Sequence, residues 1–156
     1  MKKSISALTL CLGMAVAAFA ADPTVPGATQ QPLNQQLMSE ARSTAKLASD
    51  LMLKLKTPDA DLSGLSASVE TIEKNVAEVT SLVAQLEAKR STMKPKQLEQ
   101  LDRIKQLSEL MQVYVNQKKE FAAAQNPEAR QQMRAYAQMV RDRATLIEKS
   151  AQRIGS

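Results

Sequence analysis

At 156 residues the chain has the length of one domain, with 21 Lys and Arg against 16 Asp and Glu, a formal charge of +5, and no His. Without His it holds no Ser-His-Asp triad, no Cys-His pair, no zincin motif and no Glu-x-x-His di-iron site. Four Gly in all leave no room for a glycine-rich phosphate loop.

Residues 1–20 read as an export signal. Lys2 and Lys3 form a charged start, and Ile5 to Phe19 is an apolar run without charge. Ala18-Phe19-Ala20 sets small residues where signal peptidase inspects them, which predicts cleavage before Ala21. The run is shorter than the ~20 residues that span a bilayer. Cys11 is no lipidation site on this reading, because Leu10 stands where a small residue is required. The expected address is the periplasm, or secretion beyond it. Loss of Lys2 and Lys3 leaves 19 basic residues against 16 acidic, a charge of +3, and Cys11 goes with them. The fold then rests on packing and not on disulfides. With Tyr114, Phe121 and Tyr136 as its aromatics, the expected core is aliphatic.

Residues 21–31 carry Pro23, Pro26 and Gly27 without periodicity, a flexible leader. Residues 32–156 form the expected helical domain, rich in Leu, Ala, Gln and Met. No later segment reaches eighteen apolar residues, so no transmembrane span is expected after cleavage. Prolines punctuate the pattern. Thr57-Pro58-Asp59 offers a cap, a first-turn proline and an acid, and Asn126-Pro127-Glu128 repeats this grammar. Lys94-Pro95 is a further start signal. The predicted helices run over 32–56, 59–90, 95–124 and 127–154. Similar lengths and short links predict an all-α, up-down-up-down antiparallel bundle of four long helices.

The second helix carries Leu62, Leu65, Val69, Ile72, Val76, Val79, Val83 and Leu86 in strict 3-4 alternation, a heptad-like seam. Such a seam also suits an intermolecular coiled coil. The flanking positions, among them Ser66, Ser68, Asn75 and Thr80, hold too few charges to select a partner chain, which favours a monomer. Helix four repeats Met133, Ala137, Val140, Ala144, Ile147, Ala151 and Ile154. Helix one repeats Leu37, Ala41, Thr44, Ala48, Leu51 and Leu55. Their recurrent Ala predicts a close approach between these two. Helix three, with Leu98, Leu101, Ile104, Leu107, Met111, Tyr114 and Val115, carries the broadest stripe and is expected to be the most buried.

Glu70 and Glu73 share a face, as do Glu99 and Asp102, but they lie off the seams, so they read as solvated and no metal is expected. The mature methionines are scattered, as core filling requires. A cytochrome b562-type haem bundle is similar in size and topology. This chain lacks both an axial His and Cys-x-x-Cys-His, so no cofactor is expected. Met93-Lys94-Pro95-Lys96-Gln97 is similar to the Leu-Thr-x-x-Gln motif of a family of periplasmic stress chaperones, also all-helical and basic. The match is strict at Gln97 alone.

Lys89, Arg90, Lys94 and Lys96 fall within eight residues free of acid. The bundle topology adds Lys149 and Arg153 to the same pole. This patch suits an acidic protein or an anionic envelope component. Nucleic acid is not expected, since no aromatic stacking residue lies nearby. No Ser and Lys share a cleft-forming context, so the chain reads as non-catalytic. The expected function is an exported bundle acting through protein or envelope-surface contacts, adaptor or chaperone-like. The alternative is a carrier of an apolar ligand or haem between the helices.

Overall fold

A computed structural model describes residues 31–57, 64–117 and 127–155. The export signal, most of the leader, the Pro58-Asp59 start signal, Leu62 and Phe121 lie outside the described residues. Among the described residues there are four α-helices and no strand. They are α1 (Leu33–Lys56), α2 (Leu65–Glu87), α3 (Pro95–Gln117) and α4 (Pro127–Ile154), with a short 3-10 turn at Arg90–Thr92. Gln31–Ser156 form one compact unit.

Local chemistry sets the ends. The Pro32 carbonyl opens α1 by accepting from the Gln35 and Gln36 N–H groups at 2.9 and 3.0 Å. Lys54 and Lys56 occupy its last turn, where cations favour the helix C-terminus. Pro127 begins α4 and Glu128 sits in its first turn, the arrangement the helix dipole favours. The α2 helix departs from expectation at both ends. It starts at Leu65 after Gly64, later than the expected position 59, and it stops at Glu87 before a turn. Glycine inside a helix costs about 1 kcal/mol against alanine, which suits Gly64 to a boundary. The α3 helix is described to Gln117, and residues 118–126 lie outside the described residues.

The helices pack through their seams. The broadest contact joins α1 to α4, followed by α3 with α4, α1 with α2 and α2 with α3. Every seam position of α1 and α4 predicted from periodicity is buried, and so are those of α2 from Leu65 onward. The resulting core is aliphatic, with Tyr136 as its one buried aromatic among the described residues. Each large apolar side chain fully removed from water contributes about 1.5–3 kcal/mol.

The expectation for α3 is overturned. It buries Leu101, Ile104, Met111 and Val115, whereas Leu98, Leu107 and Tyr114 are half-buried and Leu110 and Val113 are exposed. It is the helix with the fewest buried positions among the described residues. A broad apolar stripe needs cover on both flanks, and α3 has one flank beside α4 that nothing in the chain's described residues caps.

Candidate functional site

The cation-rich end is built from the turn between α2 and α3. The Ala88 N–H still donates to the Ala84 carbonyl at 3.1 Å, and the Lys89 N–H reaches back to Leu86 at 3.0 Å. The chain then tightens into the 3-10 turn and extends at Met93, with φ −90° and ψ 147°. Pro95 opens α3, since a proline forfeits nothing at the first helical position. The Lys94 carbonyl accepts from Gln97 and Leu98 at 2.9 and 3.0 Å. The Gln97 side-chain oxygen returns the favour, accepting from the Lys94 N–H at 2.9 Å. The second bond is the return half of a capping box; the first is an ordinary backbone bond of the opening turn.

The same Gln97 side chain also donates from Nε2 to the Ile154 carbonyl at 2.8 Å. One amide therefore satisfies a group at the start of α3 and another at the end of α4. It holds those two ends side by side. Asn34, at the start of α1, joins them, because a Cβ on Gly155 would collide with the Asn34 amide.

Lys89, Lys94 and Lys96 are exposed on this turn, and Lys149 and Arg153 are exposed in the last two turns of α4. Arg90 behaves differently. Its guanidinium meets Asp102 at 2.7 and 3.2 Å and Glu87 at 3.1 and 3.3 Å. Hydrogen bonding and charge from Asp102, then from Glu87, hold Arg90 above its ordinary pKa. The Arg90 hydrogen bond in turn holds the Asp102 carboxyl below the usual carboxylate range. The charge of Arg90 is thus spent inside the turn. The eight-residue window free of acid hid this, because the two carboxylates lie just outside it.

Two clefts flank α1 and α4. One, of about 420 Å³, lies at the other end of the pair, lined by Met52, Leu55, Arg130 and Arg134 among others. There Arg130 donates to the Thr57 carbonyl at 3.0 Å. The second, of about 560 Å³, is lined by Asn34, Gln35, Met38, Arg42 and Gln152 and adjoins the cationic end. Arg42 pairs with Glu148 at 2.7 Å. Among the described residues no group of three or more His, Cys, Asp or Glu could hold a metal ion. No helix among them is long and apolar enough to cross a membrane.

Several polar groups escaped the sequence reading. Ser108 is buried on α3 and its hydroxyl meets Thr80 of α2 at 3.1 Å. The Tyr136 hydroxyl is buried without a hydrogen-bond partner, and burial, then the charge of Glu73, pushes its pKa up. Neither bond of the Gln97 side chain was visible in the sequence, since Lys94 is no capping side chain and Ile154 lies 57 residues away. No protein-family model, no curated protein and no solved structure matches this chain.

Proposed function

We propose that the protein is a non-catalytic helical bundle, exported to the periplasm or beyond, that presents surfaces to a partner protein or an anionic envelope component. It acts as an adaptor or a chaperone-like factor. The observation that supports this is the cationic end. The Gln97 bond to Ile154 brings Lys94 and Lys96 to the same end as Arg153, with Lys89 and Lys149 nearby. Exposed cations gathered at one end of a bundle attract and orient acidic partners.

The helix order we infer is up-down-up-down and antiparallel, in a monomer. Cross-contacts support it: Asn34 with Gly155, Arg42 with Glu148 and Arg130 with Thr57 between α1 and α4, Asn75 with Ser43 between α2 and α1, and Thr80 with Ser108 between α2 and α3.

A photo-crosslinking residue at Lys96, compared with one at exposed Ala67 on α2, tests the reading in intact cells. The mature chain is expected to start at Ala21 and to form adducts from position 96 and not from position 67. Those adducts should weaken when Lys89, Lys94 and Lys149 become Gln. Equal adducts from both positions would overturn the surface-presenting reading.

A further inference from the structure

We propose that the outer groove between α3 and α4 docks an acidic amphipathic helix of a partner protein, one carboxylate of which pairs with Arg143. This rests on the surface-presenting reading and adds a second face to it. The argument begins with Arg143 itself. Its guanidinium lies over the Tyr114 ring, 4.8 Å from the centroid. It donates to the Met139 carbonyl at 3.2 Å and, at 3.5 Å, to the Tyr114 hydroxyl. Its Nε is buried with no acceptor. No carboxylate among the described residues meets it, whereas Arg42 and Arg141 each have one and Arg90 has two. The buried Nε is out of reach from outside, but the half-buried guanidinium, held on an aromatic face without a counter-charge, keeps further N–H groups on its two terminal nitrogens for a carboxylate.

The flanks around it are apolar at helical spacing. Leu107, Leu110 and Tyr114 follow one another on α3, and Met139, Arg143 and Leu146 on α4. Four large apolar side chains stand exposed among the described residues: Leu53, Leu110, Val113 and Met139. Three of them border this groove or the face of α3 beside it, and Leu53 stands apart on α1. Two parallel flanks with three- and four-residue spacing match the ridge pattern of a third helix laid between them. Charge decides the type of helix. On the α3 flank Arg103, one turn from Leu107, is offset by Glu99 one turn further on, and Asp142 at the α4 rim is taken up by Arg141 at 2.6 Å, which leaves Arg143 as the cation beside the groove without a carboxylate among the described residues. Through Arg143 the groove offers a cation to its occupant and asks for an acid in return.

Fluorescence anisotropy with the whole mature protein tests this. The probes are a designed amphipathic peptide with a Leu stripe flanked by Glu, and its counterpart with Lys in place of Glu. The Glu peptide is expected to bind at least about tenfold tighter. Arg143→Gln and Leu110→Ser should each remove most of that binding, and Arg143→Glu should transfer preference to the Lys peptide. Leu110 is exposed, so Leu110→Ser leaves the fold intact and keeps the test decisive. Lys96→Gln, at the cationic end, should leave binding within about twofold. Equal binding of the two peptides overturns the proposal. Binding lost with Lys96→Gln but kept with Arg143→Gln overturns it too, while leaving the cationic end as the contact surface. Self-association in sedimentation velocity, abolished by Leu110→Ser, would assign the groove to a second copy and overturn it as well.

Discussion

α4 meets two neighbours, and it meets them differently. Against α1 the seam is made of small residues: Ala41 and Ala48 on one side, Ala137, Ala144 and Ala151 on the other, all fully buried. Small side chains let the backbones approach, and the contact is the broadest in the bundle. Against α3 the neighbouring side chains are large, and Leu107 and Tyr114 remain half-buried. Polar and cationic contacts, Gln97 to Ile154 and Arg143 to Tyr114, help to join that pair. The comparison teaches that residue size at a seam decides whether the flanks close. The α1 side closes, and the α3 side leaves a groove.

The largest effect that separates the two sides comes from deleting apolar volume. Leu51 on α1 is 1% exposed. Leu51→Ala is expected to cost about 2–5 kcal/mol, because the closed seam cannot collapse around the cavity. Leu107 on α3 is half-buried, and Leu107→Ala should cost less than half as much. Denaturant titration of both checks this; equal losses would erase the distinction.

Adding volume probes the same difference from the other direction. Ala144→Leu overpacks the α1–α4 seam and should cost about 1–3 kcal/mol, several degrees in melting temperature. Ala67→Leu on the exposed face of α2 should be nearly neutral. Melting at two protein concentrations adds a second reading. A stabilised Ala144→Leu whose melting depends on concentration would overturn the proposed monomer in favour of a coiled-coil assembly.

Periodicity made the closed side legible and the open side misleading. The α1, α2 and α4 seams could be read residue by residue, because one stripe facing one interior needs no knowledge of the neighbours. The α3 stripe is equally apolar, yet its burial depends on how far its neighbours' side chains hold it away, which its own sequence does not encode. Ser108 illustrates the same limit. A serine on an apolar stripe looks like an interruption until Thr80 is found opposite it. At the candidate site, the lysines were legible as a local cluster. The capture of Arg90 by Asp102 was not, because the partner comes from the next helix.

At the α3–α4 junction a smaller effect is expected from the polar clasp. Gln97→Ala leaves the Lys94 N–H and the Ile154 carbonyl without their partner, at a cost of about 1–2 kcal/mol. Gln97→Glu keeps an acceptor for Lys94 but offers no donor to Ile154, so it should fall between the two. Hydrogen exchange should show faster opening in the last turn of α4 for both variants. Unchanged exchange there would mean that apolar contact alone holds the junction, and the contrast with the α1 side would shrink.

The smallest effect concerns a third face, between α1 and α2, where charge and not size sets the balance. Partial burial, then the charge of Glu78, raises the pKa of Glu40. A carboxyl whose folded pKa lies above its unfolded value is penalised when ionised. The penalty is fully present above the folded pKa and is relieved as pH falls through it toward the unfolded value, ~4.3. Glu40→Gln should therefore stabilise slightly at pH 7, and the gain should fade as the wild type protonates on acidification. Glu78→Gln should give part of the same gain, because it removes only the second cause. Melting curves of the three proteins at pH 7 and pH 4 decide the matter. A gain that is as large at pH 4 as at pH 7 would point to packing at Glu40, and would make this face resemble the α1–α4 seam after all.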